Sequence, residues 1–323
     1  MTHDHKLPHG EDLHLLLARL RAEFVYYSGY EQLSETFHRQ LMHRRASARL
    51  GTNEEAECIA VVGAAGSGKT TAVDRLFAKF SGLALPQAGS EIAEVICMRI
   101  PSPATLKHVG TALLHALGYP LTRDRPTAFI WDQVRHLLRQ RQTLFLHLDE
   151  AQDLHATKGA TVRIDVVNTL KSLMNDKDWP VGLVLSGTPE LVEMINSDHQ
   201  FARRAHIVSL SAISWETDHE NLRLVLERYT EKAGLFFAPD LDLSDFERRL
   251  IHAGANEFGL TLKMFLMGIE EALLDGCVEL RRAHFAEVYH RKAGGIPAFN
   301  PFVAEDYWTI DARRLWGMGG MEG

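Results

Sequence analysis

Eight consecutive residues, Gly63-Ala64-Ala65-Gly66-Ser67-Gly68-Lys69-Thr70, have the types and spacing needed to hold a nucleoside triphosphate. Gly, any four residues, Gly, Lys, then Ser or Thr is the Walker A phosphate loop. Gly63, Gly66 and Gly68 let the backbone turn so that its N–H groups converge on phosphate oxygens. Lys69 is expected to reach the β- and γ-phosphates, and the Thr70 hydroxyl to coordinate Mg²⁺. Thr71 continues into a helix whose positive dipole end faces the anion. The eight loop residues and Thr71 are therefore the expected contacts to ATP. An ordinary Gly-rich turn has no need of Lys followed by Thr.

The flanking pattern supplies what such a loop requires. Ahead of it, Cys58-Ile59-Ala60-Val61-Val62 reads as a buried strand. Behind it, residues 69–80 read as a helix with Val73, Leu76, Phe77 and Phe80 on one face. A second apolar run, Gln142 to Leu148, is broken only by Thr143 and His147 and ends in Asp149-Glu150. That is the form of a Walker B strand. Asp149 is expected to bind Mg²⁺ through water, and Glu150 to orient and deprotonate the attacking water. Acidic pairs also end strands simply because they are solvated there, but the upstream phosphate loop favours the catalytic reading.

A third run, Val181 to Ser186, leads into Gly187-Thr188-Pro189-Glu190. A polar side chain at this neighbouring strand tip, Ser186 or Thr188, could touch both the γ-phosphate and the lytic water. The competing reading is a plain turn with Thr188 as helix N-cap and Glu190 in the first turn. Further on, Arg203-Arg204 precedes the strand Ala205 to Leu210. The pair is either solvated surface or, in an oligomeric ATPase, the subunit edge from which one arginine reaches a neighbour's γ-phosphate.

Alternating strands and helices position these tips. Strands are expected at 58–62, 93–100, 143–149, 181–186 and 206–210, with helices at 69–80, 104–117, 127–141, 163–176 and 189–196. Such alternation requires a parallel sheet, with nucleotide at the carboxyl ends of its strands. The expected organisation is an N-terminal helical segment (1–56), an α/β core (57–212), a helical lid (213–293) and an aromatic, Gly-rich tail (294–323). After Leu210 only helices are expected, at 216–233, 244–256, 260–275 and 282–292. The tail carries Phe299, Phe302, Tyr307, Trp308 and Trp316 without a helical or strand period. It is either a docking segment or a stretch folded back on its own domain.

With 323 residues, 46% hydrophobic and 24% charged, the chain has the composition of a soluble globular protein. No apolar stretch approaches a membrane span, and no signal-peptide core follows the polar N-terminus, so the expected compartment is the cytoplasm. The three cysteines, Cys58, Cys97 and Cys277, read as buried thiols in a reducing compartment. The 17 histidines are dispersed, Thr2-His3-Asp4-His5 resembles a tail, and no structural metal is expected. A net charge of −7 argues against coating nucleic acid over the whole surface, so any DNA contact must be local. One acid-free stretch, residues 36–53, holds Arg39, Arg44, Arg45 and Arg49; it is either a basic patch or a helix end next to Glu54, Glu55 and Glu57.

Together these elements resemble an AAA+ ATPase: an α/β P-loop NTPase with a three-layer parallel sheet and a C-terminal all-helical lid. More narrowly, several segments are similar to the transposition-regulator ATPases of the TniB and TnsC kind, relatives of the phage Mu B protein. They are Ser28-Gly29-Tyr30, Ile100-Pro101-Ser102-Pro103, Leu148-Asp149-Glu150-Ala151-Gln152-Asp153-Leu154, Leu185 to Glu190 and Asp198 to Arg204. The resemblance spans roughly residues 15 to 290. It implies ATP and Mg²⁺ as cofactors and a homo-oligomeric ring or helical filament around double-stranded DNA. It also implies a partner transposase that stimulates hydrolysis, with room for a target-selector protein. By the same resemblance, Ser186 is the first sensor and Arg203 or Arg204 the finger acting in trans. Lys263 stands where many AAA+ proteins carry a second-sensor arginine, a departure because Lys lacks the guanidinium fork. DNA contacts in such rings come from the helix after the second strand, here Thr105, Lys107 and His108, with Arg99 beside them. Such contacts touch phosphates and should be sequence-tolerant and salt-dependent. Two alternatives are a secretion-associated ATPase of the ExeA kind and an initiator-like DNA loader. A third is a scaffold that works by assembly and hydrolyses little.

Overall fold

The computed structural model describes residues 11–23, 28–87, 91–156 and 160–318; the Thr2–His5 stretch lies outside them. The chain opens on two helices, α1 (Glu11–Ala22) and α2 (Ser28–Leu50). They belong to different compact units, so residues 1–56 do not form a segment of their own. Residues 28–64 and 69–210 make a sheet unit. The described parts of 1–27 and of 211–323, with 65–68, make a helical one.

In the sheet unit, β1 (Cys58–Val62) leads into α3 (Lys69–Lys79). There follow β2 (Val95–Arg99), α4 (Leu106–Ala116), α5 (Thr127–Gln140) and β3 (Phe145–Asp149). The short α6 (Asp153–Ala156), α7 (Ala160–Met174), β4 (Gly182–Gly187), α8 (Glu190–Asn196), α9 (His199–Ala202) and β5 (Ala205–Ser209) complete it. All five strands are parallel, in the order β2-β3-β4-β1-β5. The strands alternate, as a two-residue period requires. Cys58, Ala60, Val62, Leu146, Leu148, Leu183 and Leu185 face a core completed by Val109, Leu113, Ile130, Trp131, Leu170 and Leu191. The opposite parity carries Phe145, whose ring lies 5.2 Å from Phe37 of α2; Phe37 in turn meets Phe77 of α3 at 5.3 Å. Helices thus cover both faces, and the sheet is the middle of three layers.

The helix α9 was not expected from the sequence. Its start is set by Asp198, whose carboxylate accepts from the Phe201 N–H at 2.9 Å. The acid-free stretch on α2 is not a basic patch. Arg44 is buried and donates to the carbonyls of Glu54 and Pro180, and Arg45 grips the Glu94 carboxylate, leaving Arg39 and Arg49 exposed. Nor are all three thiols buried: Cys58 is, but Cys97 is exposed on edge strand β2 and Cys277 is half-buried.

The helical unit holds α1, α10 (Trp215–Lys232), α11 (Leu243–Ala253), α12 (Phe258–Leu274) and α13 (Arg282–Ala293). It is not wholly helical. Two-residue strands β6 (Phe236–Phe237) and β7 (Glu279–Leu280) pair in parallel, too short to show a period in the sequence. Leu13, Leu17 and Leu20 of α1 join a core built on Tyr229, Phe246, Phe265, Phe285 and Phe302. Gly268 is required there, because a Cβ would come within 2.2 Å of the Phe285 ring. Gly294, at φ +60°, ends α13 in the left-handed cap that glycine favours.

The tail folds back on this same unit. Its three 3₁₀ turns, at 297–299, 307–309 and 312–316, escaped the sequence reading. Arg249 donates to the Pro301 and Ala304 carbonyls, Asn300 to Ala286 O, and the Trp316 indole to Ala253 O at 2.8 Å.

Candidate active site

Parallel pairing brings the tips of β1, β4 and β3 side by side. Val62 is level with Gly187, and Leu148 with Leu185, so Asp149 falls level with Ser186. Two cross-strand bonds tie the tips together: Gly63 N–H to Gly187 O at 3.2 Å and Ala151 N–H to Ser186 O at 2.9 Å.

The phosphate loop leaves β1 and enters α3 at Lys69. Gly66 (φ +82°) and Gly68 (φ +96°) take backbone angles that side chains resist. The nearly buried Lys69 ammonium donates to the carbonyls of Gly63 and Ala64 at 2.8 and 2.9 Å, so the cation lies over the loop itself. Ala64, Ala65, Ser67 and Thr71 complete the loop and the first turn of α3.

Asp149 is the junction of the site. Thr70 donates to its Oδ2 at 3.1 Å and Ser186 to its Oδ1 at 2.5 Å. Behind Ser186, fully buried, stands His147, whose Nε2 lies 2.9 Å from Ser186 Oγ. Burial pushes the imidazole down to about 4 against the opposing pull of Asp149. Asp74, on α3, is pushed the other way, upward, by burial and then by Asp149.

Glu150 sits one residue on, with φ +55°. A left-handed conformation costs an ordinary residue roughly 1–2 kcal/mol, so the surroundings must impose it. They do: Arg99 reaches Glu150 Oε1 at 3.2 Å, and the Gln152 amide donates to Oε2 at 2.7 Å. The Gln152 carbonyl in turn accepts from Thr188 N–H at 3.1 Å.

The donor set at Asp149 fits Mg²⁺. Thr70 and Asp149 supply hard oxygen donors within one hydrogen bond of each other. Magnesium takes only one or two such ligands and draws the rest from phosphate and water. Among the described residues no cluster of three or more His, Cys, Asp or Glu could hold an ion by itself.

The structure brings together Lys69, Thr70, Asp149, Glu150 and Ser186, and adds His147, Gln152 and Arg99 to them. His147 and Gln152 were missed as functional residues, although each carried a signal. His147 is a polar break in an apolar strand, two residues before Asp149 and hence on its face. Gln152 follows the acidic pair at turn spacing. Thr188 is not the N-cap of α8; that position is Pro189, and Thr188 instead bonds Glu190, holding its carboxyl below the usual range.

The remaining candidates lie elsewhere. Arg203 is exposed, whereas Arg204 is bound to Asn175 and pairs with Glu55 at 2.6 Å. Thr105 is the N-cap of α4, accepting from His108 N–H; the His108 ring contacts Pro103 O, and Lys107 pairs with Asp124 at 2.5 Å. Lys263 belongs to the helical unit, its ammonium 5.5 Å from the centre of the Trp316 ring, which also faces Lys292. No described helix is long and apolar enough to cross a membrane.

Solved structures share this architecture. The ORC1 protein of Aeropyrum pernix in complex with DNA matches with a TM-score of 0.57 and 18% identity, covering 94% of this chain and 85% of that one. The ORC2 protein of the same organism, in ADPNP–ADP complexes, matches at 0.54 and 16%, covering 77% of this chain and 66% of that one. Drosophila ORC bound to DNA matches at 0.53 and 16%, covering 93% and 71%. At these identities the likeness is one of fold, that of the AAA+ P-loop NTPases with a C-terminal helical region. No curated protein sequence matches the chain. The profile of the family described as "Bacterial TniB protein" matches residues 18–216. That stretch is more than half of the chain and includes the phosphate loop, the Asp149-Glu150 pair and Arg203-Arg204, so the chain belongs to the TniB family.

Proposed function

We propose that this protein is an ATPase that assembles on double-stranded target DNA and recruits or activates a partner transposase. The observation that carries the reading is the junction at Asp149, with the phosphate-loop Thr70 on one oxygen and Ser186 on the other. Lys69 pairs with phosphate oxygens, and Thr70 and Asp149 hold Mg²⁺. When bound, the metal neutralises charge on the phosphates. Glu150 accepts the proton of the attacking water, and Ser186 senses the state of the site. Arg203, rather than the tethered Arg204, is the arginine that completes a neighbour's site. Thr105, Lys107 and His108 are the proposed DNA contacts; Lys107 must exchange Asp124 for a phosphate. Membership of the TniB family supports the link to transposition. Relatives in fold solved with DNA support a DNA partner.

An initiator-like DNA loader is the second reading, favoured by the ORC proteins among the structural relatives. Electron microscopy on random-sequence duplex DNA, with a non-hydrolysable ATP analogue and with ADP, tests the proposed assembly on DNA. Rings or filaments on DNA with the analogue alone are expected. Discrete oligomers that ignore DNA would overturn the transposition reading. Lys69→Ala is expected to abolish nucleotide binding and assembly. Glu150→Gln should keep ATP and hold the DNA-bound oligomer; normal hydrolysis by that variant would remove Glu150 as the base.

A further inference from the structure

His147 neither binds nucleotide nor moves a proton in the proposed reaction, yet an imidazole among the fully buried Phe145, Leu146 and Leu148 is costly to bury. Beside it are the Phe77 ring at 5.8 Å and the Ser186 hydroxyl. An aliphatic or aromatic side chain would suit such a position better unless the ring's N–H is needed.

The direction of its hydrogen bond follows from counting protons. The Asp149 carboxylate can only accept. Ser186 has one hydroxyl proton and spends it on Asp149 Oδ1 at 2.5 Å. The Ser186 oxygen can then only accept, so the 2.9 Å contact requires a proton on His147 Nε2. The chain therefore runs one way, from His147 to Ser186 to Asp149. With Thr70 on Oδ2, both oxygens of the carboxylate are fixed by hydroxyls from two different elements.

We infer that His147 is a positioning residue for the metal ligand: by holding Ser186 in place it fixes the orientation of the Asp149 carboxylate and so sets the metal-dependent part of nucleotide affinity. The inference rests on the reading of Asp149 as a Mg²⁺ ligand. Without the His147 N–H, the Ser186 hydroxyl loses the contact that selects its rotamer and is no longer held on Asp149 Oδ1. The carboxylate is then anchored at Oδ2 alone. Partners behind a metal ligand commonly govern affinity by about 10–100-fold.

The test is equilibrium binding of a fluorescent ATP analogue to the full chain, in Mg²⁺ and in EDTA, without hydrolysis as a readout. His147→Phe keeps a ring and loses the donor. His147→Gln places an N–H near the position of Nε2. Asp149→Asn is the control for the metal ligand. Expected for His147→Phe is unchanged affinity in EDTA and a loss of about tenfold in the enhancement by Mg²⁺. Ser186→Ala should lose as much, and His147→Gln should regain most of it. A purely structural role would lower the melting temperature and weaken binding equally in both conditions, which would overturn the inference. So would full Mg²⁺ enhancement in His147→Phe while Asp149→Asn loses it. Full enhancement in Asp149→Asn would instead overturn the metal-ligand reading itself. Should His147→Phe fail to fold, His147→Asn, too short to reach Ser186, takes its place with the same expected loss.

Discussion

Gln152 donates to Glu150 across 2.7 Å while its carbonyl accepts from the backbone of Thr188. One amide thus links the residue after β3 to the turn after β4. The link has a steric condition, since a Cβ on Gly187 would lie 2.6 Å from Gln152 Oε1. Gly187→Ala should therefore displace Gln152 and leave Glu150 held by Arg99 alone, while the Gly187 carbonyl keeps its bond to Gly63 N–H. A turnover loss of roughly tenfold to a hundredfold is expected, with KM for ATP little changed. Steady-state ATPase assays beside Gln152→Ala check this; unchanged turnover in both would show that the amide does not place the base.

Arg203 and Arg204 are separable by two measurements. Arg204→Ala removes the contacts to Glu55 and Asn175 and should cost roughly 1 kcal/mol of stability. Arg203→Ala should leave the denaturation midpoint nearly unchanged and lower hydrolysis by about a thousandfold. Mixing Arg203→Ala with Glu150→Gln protein should then restore activity, because each subunit supplies what its neighbour lacks. No recovery would argue against a shared site.

The tail is part of a core, and mutation should reveal it. Phe302 is buried among Phe246, Phe285 and Tyr289. Phe302→Ala should cost about 3–5 kcal/mol. Trp316→Phe, which removes the bond to Ala253 O, should cost about 1 kcal/mol. Denaturant titration measures both; a tail that merely awaited a partner would give neither loss.

Stability should fall on mild acidification. Burial holds His252 and His284 below the ordinary 6.5. Between their folded values and 6.5 the unfolded chain binds more protons, so stability is full above that window and is lost as pH falls through it. The melting temperature is expected to drop from pH 7.5 to 5.5, and His252→Gln should flatten the slope. A flat wild-type profile would contradict the assignment.

The strand tips could be read from the sequence because each is a short apolar run ending in residues that only a site needs. The strand at 58–62 matches residue for residue, and the other four lie within two residues of the expected bounds. What escaped reading depends on distant partners. Nothing near Arg44 or Arg45 announces Pro180 or Glu94, so a buried tether looked like an open basic face. The tail escaped for a related reason: it has no period of its own, because its order comes from Arg249, His252 and Ala253. His147 and Gln152 were visible as residue types, but their roles follow from strand register, which a single sequence does not contain.

β4 is hydrogen-bonded along both edges, to β1 and to β3. Mechanically the three strands are one stiff bar, and the floor of the site cannot lengthen or shear without breaking two ladders at once. Any signal that distinguishes ATP from ADP is expected to leave through side chains and turns at the strand tips: the Gln152–Thr188 strap, the Arg99 side chain and the loop around Lys69. The molecule separates a fixed anvil from movable pawls, and variants that alter switching should cluster at the strand tips, Ser186 among them, and in the turns beyond, rather than in the strand interiors.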